Sequence, residues 1–231
     1  MDSPKKAPRV KVTKDGPYIV TGGVPLIREN IVTGEDGEPE KWETGPAFPR
    51  RDTYSLCRCG VSKAKPFCDG SHVEAGFDGT ETANPSGYLE RAERTIGRGV
   101  DLTWSAELCA AARFCHRGEE AWGYAERSDD PAARAAAVEE ACNCPSGSLT
   151  AWEKGSGKAI EPACEPSIGL IEGCKDGTSG PIWVKGGIPI ESAEGVAYET
   201  RNRVTLCRCG KSGHKPFCDG THVLTGFKSG V

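Results

Sequence analysis

Short runs of alternating apolar and polar positions, broken by Gly and Pro, dominate both ends of the chain. Around Gly22, Gly23 and Pro25 the apolar positions Tyr18, Val20, Val24 and Leu26 predict short strands joined by a turn. RDTYSLCRC (51–59) and RNRVTLCRC (201–209) read as further strands that run into cysteine-bearing loops. VEAGF (73–77) and VLTGF (223–227) each predict one helical turn ended by Gly. The middle of the chain changes character. SDDPAARAAAVEEAC (128–142) has Asp at the cap, Pro131 near the first helical position and an Ala-rich body, so it predicts a helix that delivers Cys144 at its end. SLTAWE (148–153) then reads as a returning strand, and Leu108 to His116 as a second short helix or turn.

The chain repeats itself. CRCGVSKAKPFCDGSHVEAGF (57–77) recurs without a gap as CRCGKSGHKPFCDGTHVLTGF (207–227), and GPYIVTGGVPL (16–26) recurs as GPIWVKGGIPI (180–190). Two related modules therefore flank an insertion, and the first module has a longer, Gly-, Pro- and Glu-rich connection between its two repeated parts.

Composition sharpens this picture. Of 231 residues 37% are hydrophobic, and 30 Gly and 16 Pro make the chain loop-rich with small cores. Domains of this kind recruit disulfides or metal, and 12 cysteines are present. Six disulfides of a secreted protein are one reading. The N-terminus lacks the apolar core of a leader and no stretch is long enough for a membrane span, so the expectation is a reducing, cytoplasmic setting with the cysteines as metal ligands. A net charge of −4 argues against an extended nucleic-acid footprint, and the basic residues 1–15 read as a flexible tail.

Both repeats carry C-x-C-x8-C-x3-H: Cys57, Cys59, Cys68 and His72, then Cys207, Cys209, Cys218 and His222. Asp69-Gly70 and Asp219-Gly220 follow the third cysteine, where Asp caps the next turn and Gly lets backbone approach closely. A structural zinc site is the alternative, although this spacing is not among the usual zinc patterns. The motif resembles the CDGSH signature of the NEET iron-sulfur family over about 20 residues per copy. The resemblance implies a 2Fe-2S cluster in each module, with Cys57 and Cys59 on the inner iron and Cys68 and His72 on the outer one, and likewise Cys207 and Cys209 facing Cys218 and His222. Neutral imidazole in place of thiolate raises the potential, as in Rieske centres, and a titratable ligand makes the outer iron labile. Lys65 and Lys215 are read either as stabilisers of cluster charge or as solvated lysines. Two modules in one chain imply a monomer with an internal pseudo-twofold, in which strands from 16–26 and 180–190 pair or swap.

The insertion has its own pattern. Cys109 and Cys115 with Cys144-Pro145 fit a bacterial ferredoxin template in which Ala112 occupies the second cysteine's place. This resembles divergent single-cluster ferredoxins, which implies a 3Fe-4S cluster on Cys109, Cys115 and Cys144, or a 4Fe-4S cluster if Cys142 is recruited. A generic insertion with buried free cysteines is the alternative. Cys164 and Cys174 fit neither template, His116 and His214 have no assigned partner, and Trp104, Trp122, Trp152 and Trp183 are expected in cores.

The expected fold class is α+β: a tail at 1–15, a β-rich module at 16–80, a ferredoxin-like domain at 97–160, a linker at 161–179 and a second module at 180–231. No nucleophile-base pair or phosphate loop stands out, so the chain is expected to be a non-enzyme that transfers single electrons to a redox partner. Storage and transfer of clusters to an apo acceptor, and service as the redox subunit of an enzyme, are the alternatives.

Overall fold

The structure, a computed structural model, describes residues 7–174 and 177–231. Its first half contains β1 (Arg9–Val12), β2 (Tyr18–Thr21), β3 (Leu26–Thr33), β4 (Pro39–Ala47), β5 (Thr53–Leu56) and the helical turn α1 (Ser71–Glu74). The insertion follows, with α2 (Tyr88–Arg91), β6 (Glu93–Thr95), β7 (Val100–Trp104), α3 (Glu120–Glu126), α4 (Pro131–Asn143), β8 (Leu149–Glu153) and β9 (Ala159–Ile160). The second half adds β10 (Ser167–Glu172), β11 (Ile182–Lys185), β12 (Ile190–Glu191), β13 (Arg203–Leu206) and the turn α5 (Thr221–Leu224). The class is mixed α+β, with the insertion between two β-rich modules.

The modules exchange strands. One sheet has the order β12-β1-β2-β5 and the other β13-β11-β10-β3-β4, so the second half donates β12 to the first sheet and the first half donates β3 and β4 to the second. The exchange is parallel in both places, with Val10 opposite Ile190 and Ile168 opposite Leu26. Inward side chains alternate with partly exposed ones along β1, β2 and β5, as a two-residue period demands. They meet in one shared core of Val10, Val12, Val20 and Leu56 from one half and Ile168, Leu170, Ile182 and Leu206 from the other. Burial of each such side chain contributes about 1.5–3 kcal/mol, and pooling them is how two small modules reach a stable interior.

Three expectations change. Residues 9–12 of the expected tail are a strand with Val10 and Val12 buried, because β1 bridges β2 and β12; residues 1–6 lie outside the described residues. The expected linker at 161–179 contains β10, buried along its whole length at the centre of the second sheet. The long connection of the first module is a hairpin, β3–β4, that extends the second module's sheet.

The insertion is a β6-β7-β8-β9 sheet with α3 and α4 on it. Alanines 121, 125, 137 and 141 face Val100, Leu102 and Leu149, and their small side chains let the helices settle close to the strands. Asp130 Oδ2 accepts from the Ala133 amide at 3.0 Å and Pro131 opens the helix, as the sequence predicts. Trp104 meets Trp122 edge to face inside this unit, whereas Trp183 joins Trp42 and Phe114 at the seam with the second module. Trp152 packs against the shared core.

Candidate metal centres

In each module a strand (β5 or β13) runs directly into the C-x-C elbow, and a helical turn (α1 or α5) presents the histidine. Cys57 Sγ stands 3.7 Å from Cys59 Sγ, and Cys68 Sγ stands 3.4 Å from His72 Nδ1. The second module repeats both distances, 3.7 Å for Cys207 with Cys209 and 3.4 Å for Cys218 with His222 Nδ1. Two ligands on one tetrahedral metal, with bonds of about 2.3 Å to sulfur and 2.0 Å to nitrogen, stand about 3.7 Å apart for a sulfur pair and about 3.5 Å apart for sulfur and nitrogen. Each pair is thus spaced for one metal atom. Among the described residues no three His, Cys, Asp or Glu side chains converge tightly enough for a single ion. Four ligands grouped two and two fit a binuclear centre; one zinc ion needs all four together.

Backbone amides surround the sulfurs. Burial raises the Cys59 thiol, opposed by the amides of Val61 and Ser62. The Cys207 thiol is brought down to about 6 by its hydrogen bond with Cys209 and by the Ser212 and Gly210 amides, against the effect of burial. Amides that favour thiolate prepare a sulfur for metal. The Gly220 amide lies 3.4 Å from Cys218 Sγ. Asp69 accepts from the amides of Lys63 (2.8 Å) and Ser71 (3.0 Å), and Asp219 from those of Gly213 (2.7 Å) and Thr221 (3.0 Å), so each carboxylate ties the loop to the turn that carries the histidine. Lys65 Nζ donates to the Ser62 carbonyl at 2.7 Å, which pins it on its own loop.

A buried arginine lies between the two cysteines of each elbow, and sequence reading overlooked both. Arg58 donates to the carbonyls of Gly79 (2.5 Å) and Thr13 (3.2 Å). Arg208 donates to the carbonyls of Gly180 (2.6 Å) and Ile171 (2.7 Å) and to Glu172 at 2.6 Å. The repeated CRC triplet was the available signal. Tyr18, also overlooked, crosses the pseudo-twofold to donate to the Cys207 and Pro216 carbonyls at 2.8 and 3.0 Å.

The elbows themselves abut. A Cβ on Gly60 would lie 2.5 Å from the Cys209 carbonyl oxygen, and one on Gly210 would meet the Cys59 carbonyl oxygen just as closely. Both glycines have positive φ, so space and conformation exclude a side chain there.

The insertion gathers Cys109, Cys115 and Cys144. Burial raises the Cys115 thiol to about 12, and the charges acting on it, from Cys144, Cys109 and Glu140, are all negative. Burial also raises Cys109, with Cys144 adding to it. Three cysteines gathered in a half-buried site, two of them held protonated chiefly by burial, are a donor set that a cationic iron centre would complete. Cys142 turns away, its Sγ 3.7 Å from the Ile160 carbonyl, so this geometry does not favour the alternative in which it is recruited as a fourth ligand. Ala112 packs with Phe114, Ile171 and Trp183. Cys174 is sealed in that same apolar cluster, Cys164 is half-buried, His116 Nδ1 lies 3.1 Å from Glu120, and His214 Nδ1 lies 3.9 Å from Asp219.

The comparisons agree with this partition. The family model described as iron-binding zinc finger CDGSH type matches residues 15–73 and 179–223, and the model described as divergent 4Fe-4S mono-cluster matches 96–154. No curated protein and no solved structure matches the chain. Among the described residues no helix is long and apolar enough to cross a membrane. With two metal-spaced ligand loops of one signature and a third cysteine set between them, the chain is an iron-sulfur-binding protein with tandem CDGSH segments and an inserted divergent mono-cluster segment.

Proposed function

We propose that the chain holds one 2Fe-2S cluster on Cys57, Cys59, Cys68 and His72, a second on Cys207, Cys209, Cys218 and His222, and a 3Fe-4S cluster on Cys109, Cys115 and Cys144, and that it carries single electrons between partner proteins. The observation behind the reading is the two-and-two spacing of the Cys3His ligands, which suits two irons and not one zinc. Three irons suit the insertion because three thiols converge, Cys142 faces Ile160 and a methyl stands at Ala112. The matching family model is described as a 4Fe-4S one, and the missing fourth thiol is where this chain departs from the bacterial ferredoxin template. The chain works as a cytoplasmic monomer and a carrier, not an enzyme. The half-buried Cys68 favours a second reading, cluster donation to an apo acceptor from the first module.

Metal and sulfide analysis of the purified protein tests the assignment. About seven iron and eight labile sulfide per chain are expected, with an oxidised three-iron resonance and reduced two-iron resonances by electron paramagnetic resonance. Zinc at one per module without labile sulfide refutes it.

A further inference from the structure

Although their signatures match, the two ligand loops have different neighbours. A Cβ on Gly70 would meet nothing within 4 Å, whereas one on Gly220 would lie 3.1 Å from Ala111 Cβ and 3.3 Å from the Cys109 carbonyl oxygen. The insertion's first ligand loop therefore rests directly on the turn between Cys218 and His222. Burial follows the contact: Cys218 is 2% and His222 1% exposed, while Cys68 and His72 are only half-buried. From the other side, β13 holds the end of α4. Arg203 donates to the carbonyls of Cys144 (2.7 Å) and Ala141 (2.9 Å), and Arg201 to that of Gly147 (2.8 Å). Both ligand segments of the insertion, around Cys109 and around Cys144, are anchored on the second module.

Combined with the elbow contact between Cys59-Gly60 and Cys209-Gly210, these contacts leave one order of sites. We infer that the three centres form a linear relay: the Cys109, Cys115 and Cys144 site, then the covered Cys207 to His222 site, then the Cys57 to His72 site, which faces the electron-accepting partner. The inference rests on the cluster assignment above. One electron leaves a reduced low-potential donor protein and reduces the insertion's site. That site is reoxidised as the electron reduces the second module's site, which passes it to the first module's site and so to an oxidised partner. The exit is set by exposure, because the first module's ligand loop, where a Cβ on Gly70 would meet nothing within 4 Å, is open to a partner and the second module's is covered. Beside the terminal site stand the exposed apolar side chains Val61 and Val73, 48% and 74% exposed, where a protein partner can dock.

The test deletes one two-iron site at a time, as Cys68→Ala/His72→Ala or Cys218→Ala/His222→Ala, with iron and sulfide counted in each full-length protein. In samples reduced only as far as the two-iron sites, with the three-iron centre still oxidised, magnetic coupling is expected to accelerate spin relaxation of the insertion's cluster. The relay predicts that this acceleration survives the first double substitution and vanishes with the second. Electron delivery to cytochrome c, a probe too bulky for buried sites, falls by at least about tenfold in both. Coupling that survives loss of the second module's site, or delivery that survives loss of the first's, overturns the order while leaving the cluster assignment intact; absence of clusters from the unsubstituted chain overturns the assignment itself. Should a substituted chain fail to fold, stepwise reduction of the unsubstituted protein still decides: the insertion's resonance must broaden as the two-iron sites are reduced, and a sharp resonance throughout refutes the relay.

Discussion

The two modules share a signature nearly residue for residue, and yet one ligand loop faces solvent and the other is roofed. The difference lies outside the signature, in the insertion that settles on Gly220 and leaves Gly70 open. Supporting residues diverge accordingly. Arg208 is held by Glu172, whereas Arg58, at the same place in its own module, donates to the Thr13 and Gly79 carbonyls and has no carboxylate partner among the described residues. Arg203 grips the end of α4, and the matching position of the first module is Thr53. Tyr18 reaches across to the second module's loop, while its counterpart is Ile182, which has no donor to return. Identical ligand sets in unlike surroundings are a means of giving two sites different accessibility.

Removing the acid under the second loop should have the largest effect. Glu172→Ala leaves Arg208 buried without its charge partner, also strips Ser229 Oγ of an acceptor at 2.8 Å, and is expected to cost about 3–5 kcal/mol, read as a fall in melting temperature with preferential loss of the second module's cluster. Arg203→Met, which releases Cys144 and Ala141 from β13, is expected to cost about 2–4 kcal/mol and to raise hydrogen exchange around His222 but not around His72. Equal exchange at both loops would contradict the roof.

A third effect depends on pH. Glu140 in α4 is 1% exposed, and burial raises its carboxyl to about 7, with Arg117 lowering it in part. Below its ordinary value of 4.5 the group is protonated folded or unfolded and has no influence; between 4.5 and about 7 the unfolded chain ionises first, so stability falls as pH rises, and above 7 the full penalty stands. Glu140→Gln should therefore stabilise the insertion by about 2 kcal/mol at alkaline pH and by nothing at pH 4, measured as the difference in melting temperature. Smallest of all, Tyr18→Phe removes the donor from two buried carbonyls and should cost about 1–2 kcal/mol while loosening the second loop from the opposite module.

Much of the site was legible because it is local. The ligand quartets occupy 16 consecutive positions each, and the cap, Pro131 and alanines of α4 announce themselves within one stretch. The strands β1 and β10 were missed for the opposite reason. RVKV and SIGLIE carry no turn signal of their own, and the first is half charged; what makes them strands is pairing with residues 142 or more positions away in the swapped sheets or across a hairpin, which no local pattern records. The β3–β4 hairpin hid behind its glutamates, since one face of β4 is exposed. Nor was the covering of His222 visible, because the covering atoms belong to Ala111 and Cys109, about a hundred positions upstream.

The most direct measurement is iron loss to an excess of chelator at mildly acid pH, followed by the visible absorbance of the oxidised protein. Unequal cover predicts two two-iron phases, the first module's cluster leaving at least about tenfold faster. A single phase in which both two-iron clusters leave together would contradict it.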